Sequence, residues 1–221
     1  MVVESKAWNW GIVKGDNKKY WQEPAVESYY LLQRWLAQDK IDYLDLGCGL
    51  GRHTIQFAKA GFKTYAFDLS KESVDKTREY AKAEKVKVDL KVGDMLDLPY
   101  ENDSFDCVYC RNVISHTDTN GMKQIVSELK RIMRKDAECY LTLGSKQTWG
   151  FKQDWPVVDK NTKIRIEDGP ENGIPHFYAD LALILELFKD FEIVKVFQVE
   201  DYILKSKPSS SFHYHVLIRK R

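Results

Sequence analysis

The run Asp45-Leu46-Gly47-Cys48-Gly49-Leu50-Gly51 constrains this chain more than any other stretch. It lies between an apolar segment, 41–46, that reads as a short strand and a segment, 54–60, that reads as a helix stopped by Gly61. Three glycines at alternate positions permit a tight turn and let a ligand approach the backbone closely. The helix that follows aims free N–H groups at the same place. Strand, glycine turn and helix in that order form the opening unit of an open α/β sheet.

The rest of the chain keeps that rhythm. Residues 62–68 read as a second strand, and Ser70 can cap a helix running to about 84. Val86, Val88, Leu90 and Val92 alternate with polar residues, as in a half-exposed strand near a sheet edge. Residues 105–110 form a buried strand. Met122, Ile125, Val126, Leu129, Ile132 and Met133 share one helical face, and 139–143 is a fifth strand. A helix over 181–188 and two strand-like runs, 191–199 and 212–218, close the sequence. Two segments break the pattern. Residues 1–40 are an aromatic arm followed by a helix over about 24–38, with Pro24 in its first turn. Residues 144–178 hold Trp149, Phe151 and Trp155, four Gly or Pro between 169 and 175, and a small hairpin around 164–166. So long a connection in a compact domain is usually functional.

Asp68 ends the second strand 17 residues after Gly51, where a carboxylate accepts hydrogen bonds from a ribose diol. Together they specify a ligand containing a nucleoside. A dinucleotide fingerprint has its third glycine three residues after the second. Here the gap is two, and Arg52 fills the other slot. No Lys-[Ser/Thr] follows, so this is not a P-loop. The acid Asp45, opening the motif, suits an amine better than a pyrophosphate.

With these residues in place, the sequence resembles the class I S-adenosylmethionine-dependent methyltransferases, strongly over about 41–143 and loosely over the last strands. The resemblance implies a Rossmann-like three-layer α/β sandwich. Its mostly parallel sheet would have seven strands in the order 3-2-1-4-5-7-6, the last antiparallel. It implies that Gly47 and Gly49 pass under the methionine moiety and that Asp45 helps hold its amino group. Asp68 would take the ribose hydroxyls and Leu69 would lie along the adenine. Gly93-Asp94-Met95 resembles the adenine-reading segment, with Asp94 accepting from the exocyclic amine and Met95 meeting the ring through its backbone. Phe105 to Asn112 resembles the fourth strand, whose end lies beside the reacting centre, which puts Arg111 among the cofactor residues. His116-Thr117-Asp118 follows, as in many small-molecule members of the ubiquinone-methyltransferase-like branch.

The chemistry this implies asks little of side chains. A sulfonium methyl is already activated, and aligning it with a nucleophile supplies much of the rate. His116 is the catalytic candidate, as a positioning or base residue. Tyr20, Trp21, Trp149 and His176 are candidates for the acceptor side, and the aromatic arm for a mobile lid. His213 and His215 share a strand face and read as surface. Cys107 and Cys110, on opposite strand faces roughly 10 Å apart, are too distant for a disulfide. No metal site is expected. The rival readings are a binding protein that holds the cofactor or its product without turnover, or another nucleoside-cofactor enzyme on the same architecture.

Composition bounds the rest. The 221 residues suit a single domain over 1–221. With 34 Lys and Arg against 33 Asp and Glu, net charge +1, no electrostatic case exists for nucleic acid or an anionic membrane. The resemblance implies a small-molecule acceptor, since Arg111-Asn112-Val113-Ile114 stands where amino-type nucleic-acid methylases have Asn-Pro-Pro-Tyr and no Pro-Cys nucleophile is present; the charge balance agrees. No run approaches the roughly 18–20 apolar residues of a spanning helix, and the N-terminus lacks a signal-like apolar region. Four cysteines are too few for a disulfide scaffold. The expectation is a reduced, cytoplasmic protein, monomer or homodimer.

Overall fold

Residues 5–13, 21–203 and 209–221 are described by the computed structural model. A 3-10 turn, Trp10–Ile12, and helix α1, Val26–Leu36, precede the sheet. The core then alternates as the sequence predicts: β1 Asp42–Leu46, α2 Arg52–Lys59, β2 Lys63–Asp68, α3 Lys71–Ala83, β3 Val88–Val92, β4 Phe105–Cys110, α4 Thr119–Ile132 and β5 Met133–Ser145. Local chemistry sets the helix starts. The Ser70 hydroxyl accepts from Ser73 N at 3.3 Å, and Asp118 accepts from Gly121 N at 2.7 Å.

The main sheet runs β3-β2-β1-β4-β5, all parallel. β10, Ser209–Lys220, lies antiparallel against β5, and β9, Phe191–Ile203, pairs with β10. That is the implied 3-2-1-4-5-7-6 order with the last strand reversed. Among the described residues the sheet nevertheless has ten strands rather than seven. The three extra strands come from the 144–178 insertion: β6 Val157–Asp159, β7 Thr162–Ile164 and β8 Pro175–Ala179, after a short helix α5, Trp149–Lys152. The hairpin expected at 164–166 therefore turns earlier, between β6 and β7. Helix α6, Leu181–Leu187, leads out of the insertion.

β8 is the strand that builds the site. It pairs parallel with β5 at Gly144–Tyr178 and Ser145–Ala179. One edge of β5 is taken by β10 up to Gly144, and the other by β4 only as far as Leu141. β8 therefore continues the β4 side of the sheet, past the end of β4.

Neighbouring residues of one strand fall into different apolar cores: Tyr43 and Leu44, Tyr109 and Cys110, Tyr140 and Leu141. The strand period of two sends them to opposite faces. Both faces of the central strands are thus covered, which explains their unbroken apolar sequence. The edge strand β3 is only partly covered and alternates. One buried acid ties the first helix to this core. Glu138 accepts from Arg34 Nε and Nη2 at 2.8 and 2.7 Å, from Trp35 Nε1 at 3.0 Å and from Arg219 at 3.0 Å.

Candidate active site

The glycine turn is built from the end of β1 against the end of β2. Gly47 and Gly49 have φ of +80° and +53°, a region that costs a side chain roughly 1–2 kcal/mol. At Gly47 a Cβ would also lie 2.3 Å from the side chain of Val113. Gly47 N and Cys48 N both donate to Phe67 O, at 2.7 and 3.0 Å. Asp68 then clasps the turn: one carboxylate oxygen accepts from Gly49 N at 2.9 Å and the other from Ser70 N at 2.8 Å. Burial raises the Asp68 carboxyl above its ordinary value, while these two backbone bonds oppose the rise.

A cavity of about 650 Å³ opens over this turn. Its lining includes Gly47, Gly49, Asp68, Leu69, Asp94, Met95 and Arg111. It also includes Trp8, Trp10, Trp21, Trp149, His116 and His176, with the Trp10 ring packed on Gly49. The sequence candidates are therefore brought together, with two exceptions. Tyr20 lies outside the described residues. Asp45 does not line the cavity; it is 2% exposed and accepts from the Thr54 hydroxyl of α2 at 2.5 Å. The expectation that its carboxylate faces the ligand is thereby corrected. Burial pushes the Asp45 carboxyl up to about 7, with the Thr54 bond and the Arg52 charge acting against it.

The tryptophans form a group. Trp8 and Trp10 have ring centroids 4.5 Å apart, Trp8 and Trp21 5.0 Å, and Trp10 and Trp21 5.8 Å, all edge to face. Arg52 stacks on Trp21 at 4.8 Å. The arm also reaches the insertion, since Asn9 N donates to Pro170 O at 3.2 Å and Lys6 Nζ to Asn172 O at 2.9 Å. Arm and insertion thus touch beside the cavity.

Arg111, at the end of β4, donates from Nε to Glu27 of α1 at 2.5 Å. Burial alone would raise the Glu27 carboxyl, but Arg111 turns the shift downward. Tyr140 donates to Glu27 at 3.2 Å and meets His215 Nδ1 at 2.5 Å. His215 is 7% exposed, so the surface reading of this histidine is wrong: β9 and α1 cover it.

Sequence reasoning missed Glu171 and Arg165. Glu171 comes from the turn before β8, its carboxylate held by Arg165. Both line the cavity beside His116 and His176, whose rings lie 4.9 Å apart. Burial and the neighbouring His176 lower His116 to about 4, so its imidazole is neutral at pH 7. Burial would raise Glu171, but His176, His116 and Arg165 bring it down to about 2. The only signal in the sequence was a lone acid inside Gly169-Pro170-Glu171-Asn172-Gly173, which no periodicity distinguishes.

Comparison with known proteins agrees with this geometry. Residues 44–136 match a family model described as a methyltransferase domain. The chain is 35% identical over 92 residues to norajmaline N-methyltransferase of Rauvolfia serpentina, covering 40% of this chain and 31% of that protein. It is 21% identical over 128 residues to the ubiquinone biosynthesis O-methyltransferase of Pelagibacter ubique, covering 58% of this chain and 52% of that one. The chain thus spans about a third to a half of the length of these curated relatives. A solved S-adenosylmethionine-dependent methyltransferase from Methanosarcina mazei superposes with a TM-score of 0.71 at 17% identity, over 90% of this chain and 98% of that one. With its glycine turn, its strand order and its matched residues 44–136, the chain has the fold of the S-adenosylmethionine-dependent methyltransferases and resembles a methyltransferase domain over that stretch.

Proposed function

We propose that this chain moves a methyl group from S-adenosylmethionine to a small-molecule acceptor. The observation that carries the reading is one cavity shared by the glycine turn, Asp68, the Asp94-Met95 pair and a wall of aromatic and histidine side chains. The residues fit that cofactor. Each Asp68 oxygen spends one lone pair on a backbone N–H and keeps another for a ribose hydroxyl. A volume of about 650 Å³ lies within the roughly 300–1,000 Å³ of small-molecule sites. When bound, S-adenosylmethionine supplies a methyl group already activated on sulfur.

The chain's own residues then have to bind, orient and exclude water. Gly47 and Gly49 let the cofactor lie against the backbone. Asp68 takes the ribose, while Leu69, Asp94 and Met95 hold the adenine. Arg111, anchored by Glu27, stiffens the end of β4 beside the reacting centre. Trp8, Trp10 and Trp21 offer ring faces that a sulfonium tolerates and apolar surface that excludes water. Trp149, His176 and the neutral His116 work on the acceptor. The four cysteines are free and buried, which suits a reduced, cytoplasmic setting. No helix among the described residues is long and apolar enough to cross a membrane. The near-neutral charge favours a small acceptor over nucleic acid, with the chain acting as monomer or homodimer.

Calorimetry with S-adenosylmethionine, its demethylated product and NAD tests the cofactor assignment; tighter binding of NAD overturns it. Release of S-adenosylhomocysteine with small hydroxy, amino or thiol compounds tests turnover. Tight binding of both sulfur nucleosides with no turnover of any acceptor would point to a binding protein instead.

A further inference from the structure

Three side chains that the glycine turn does not use converge on one point in the cavity. His116 follows β4, His176 lies on β8, and Glu171 sits in the turn before β8. His116 Nε2 is 3.8 Å from one Glu171 oxygen, and His176 Nε2 is 3.7 Å from the other. One ligand atom from each residue lies within 4.8 Å of the others. Among the described residues no second group of three converges in this way.

The hydrogen bonding sets what these atoms are. Ile174 O can only accept, so His176 Nδ1, 3.0 Å away, carries the hydrogen. In a neutral ring Nε2 is then a bare lone pair turned toward a carboxylate. His116 Nε2 also faces that carboxylate. Arg165 already bonds one Glu171 oxygen, and the two imidazole nitrogens and the carboxylate leave between them a place for a second cation. A shared proton would draw nitrogen and oxygen to about 2.7–3.2 Å. The observed 3.7 and 3.8 Å are too wide for that. Ligands held at roughly 2.0–2.2 Å around a tetrahedral ion lie about 3.4 Å from one another, so the three atoms, which lie within 4.8 Å of one another, have to draw in by up to about 1.4 Å to hold an ion.

We propose that His116, Glu171 and His176 bind a divalent transition-metal ion, zinc or ferrous iron in type. Two imidazoles argue against magnesium and calcium, which prefer oxygen ligands. Two histidines and one carboxylate with an open position is the donor set of catalytic zinc and non-haem iron sites. A supporting shell is already in place. Ile174 O orients His176, and Arg165 holds Glu171 while its own charge is shared with Glu167 at 3.1 Å. All three ligands line the cavity, so the ion's remaining position is open to an acceptor. Resting on the methyl-transfer reading, this selects acceptors with a hydroxyl or thiol. Such a group loses its proton to water on binding the ion. Its lone pair then forms the bond to the methyl carbon, and the methyl–sulfur bond breaks with its electrons left on sulfur.

The test uses untagged full-length protein stripped with a chelator. Cobalt(II) titration followed by visible absorption, and zinc calorimetry, should each give one equivalent, with zinc displacing the cobalt band. Glu171→Gln and His176→Ala should each weaken zinc by at least ~100-fold, because even outer-shell changes cost about 10–100-fold. His213→Ala, which removes another imidazole from the cavity wall, should leave zinc affinity unchanged. No stoichiometric ion in the wild type, or zinc binding that both ligand variants retain, overturns the proposal. If a variant fails to fold, the wild-type cobalt spectrum decides by its stoichiometry and its nitrogen–oxygen coordination. S-adenosylhomocysteine binding is measured in the same samples. Nucleoside binding without zinc sinks the metal site alone, and zinc without nucleoside sinks the cofactor reading alone.

Discussion

Asp45 should make the protein less stable as the pH rises, and Asp45→Asn should remove that dependence. The carboxyl is buried under the glycine turn and titrates near 7 instead of its ordinary 3.8. Between those values the folded chain holds a proton that the unfolded chain has lost. Stability is therefore highest below about 4, falls through that window and levels off above 7. Each pKa unit is worth about 1.4 kcal/mol. Roughly two of the units lie between pH 5 and pH 7, so Asp45 costs about 2–3 kcal/mol more at pH 8 than at pH 5. Asparagine keeps an oxygen to accept from Thr54 and never ionises. Its extra N–H pair adds a penalty of about 1–3 kcal/mol that does not vary with pH. The informative quantity is thus the difference between the two pH values. Urea or thermal unfolding of both proteins at pH 5 and pH 8 measures it. The variant should gain about 2–3 kcal/mol more at pH 8, near 5–10 °C in midpoint for a chain of this size. An equal shift at both pH values, or a larger gain at pH 5, would refute the burial argument.

Other substitutions probe the cleft. Asp68→Ala should weaken S-adenosylhomocysteine by roughly tenfold to a hundredfold, since hydrogen bonds to a charged group are worth about 1.5–3 kcal/mol; an unchanged dissociation constant in a folded variant would make Asp68 purely structural. Gly47→Ala should destabilise by about 2–3 kcal/mol through its positive φ and its overlap with Val113. Adding Val113→Ala should restore part of that loss in urea unfolding, and no restoration would locate the strain elsewhere. Amide exchange should slow in residues 8–13, 21–23 and 149–155 when S-adenosylhomocysteine binds, beyond any change in the core strands. Full protection of these segments in the free protein would show them to be fixed packing and not a lid.

The core was legible in the sequence because its signals are local. Ser70 caps α3 as its hydroxyl suggested. The apolar runs of β1, β2 and β4 needed no partner to be recognised, and Gly47 to Gly51 announced the turn by composition. The insertion was not legible. β6 and β7 have three residues each, too few for a period of two to register. β8 opens with Pro175, which marks a loop unless the strand begins there. Glu171 meets His116 across 55 positions, a contact set up by the pairing of β8 with β5 and by the bond from Phe177 N to Ser115 O. Asp45 failed for another reason. Its place beside the turn was right, but the Thr54 hydroxyl in the first turn of α2 captured its side chain.

The register of that pairing bears on how this protein could be altered. The insertion leaves the sheet at Ser145 and returns at Ala179, and these two residues are partners in adjacent strands. Its ends therefore lie only about 4.8 Å apart. Everything between them, including β6, β7, Trp149, Glu171 and His176, is a closed excursion from one sheet edge. A cassette of different length and sequence, joined at the same two positions, would leave the order β3-β2-β1-β4-β5 and the glycine turn as they are. On the proposed function, Trp149, Glu171 and His176 travel with this cassette, whereas the glycine turn, Asp68 and His116 stay with the sheet.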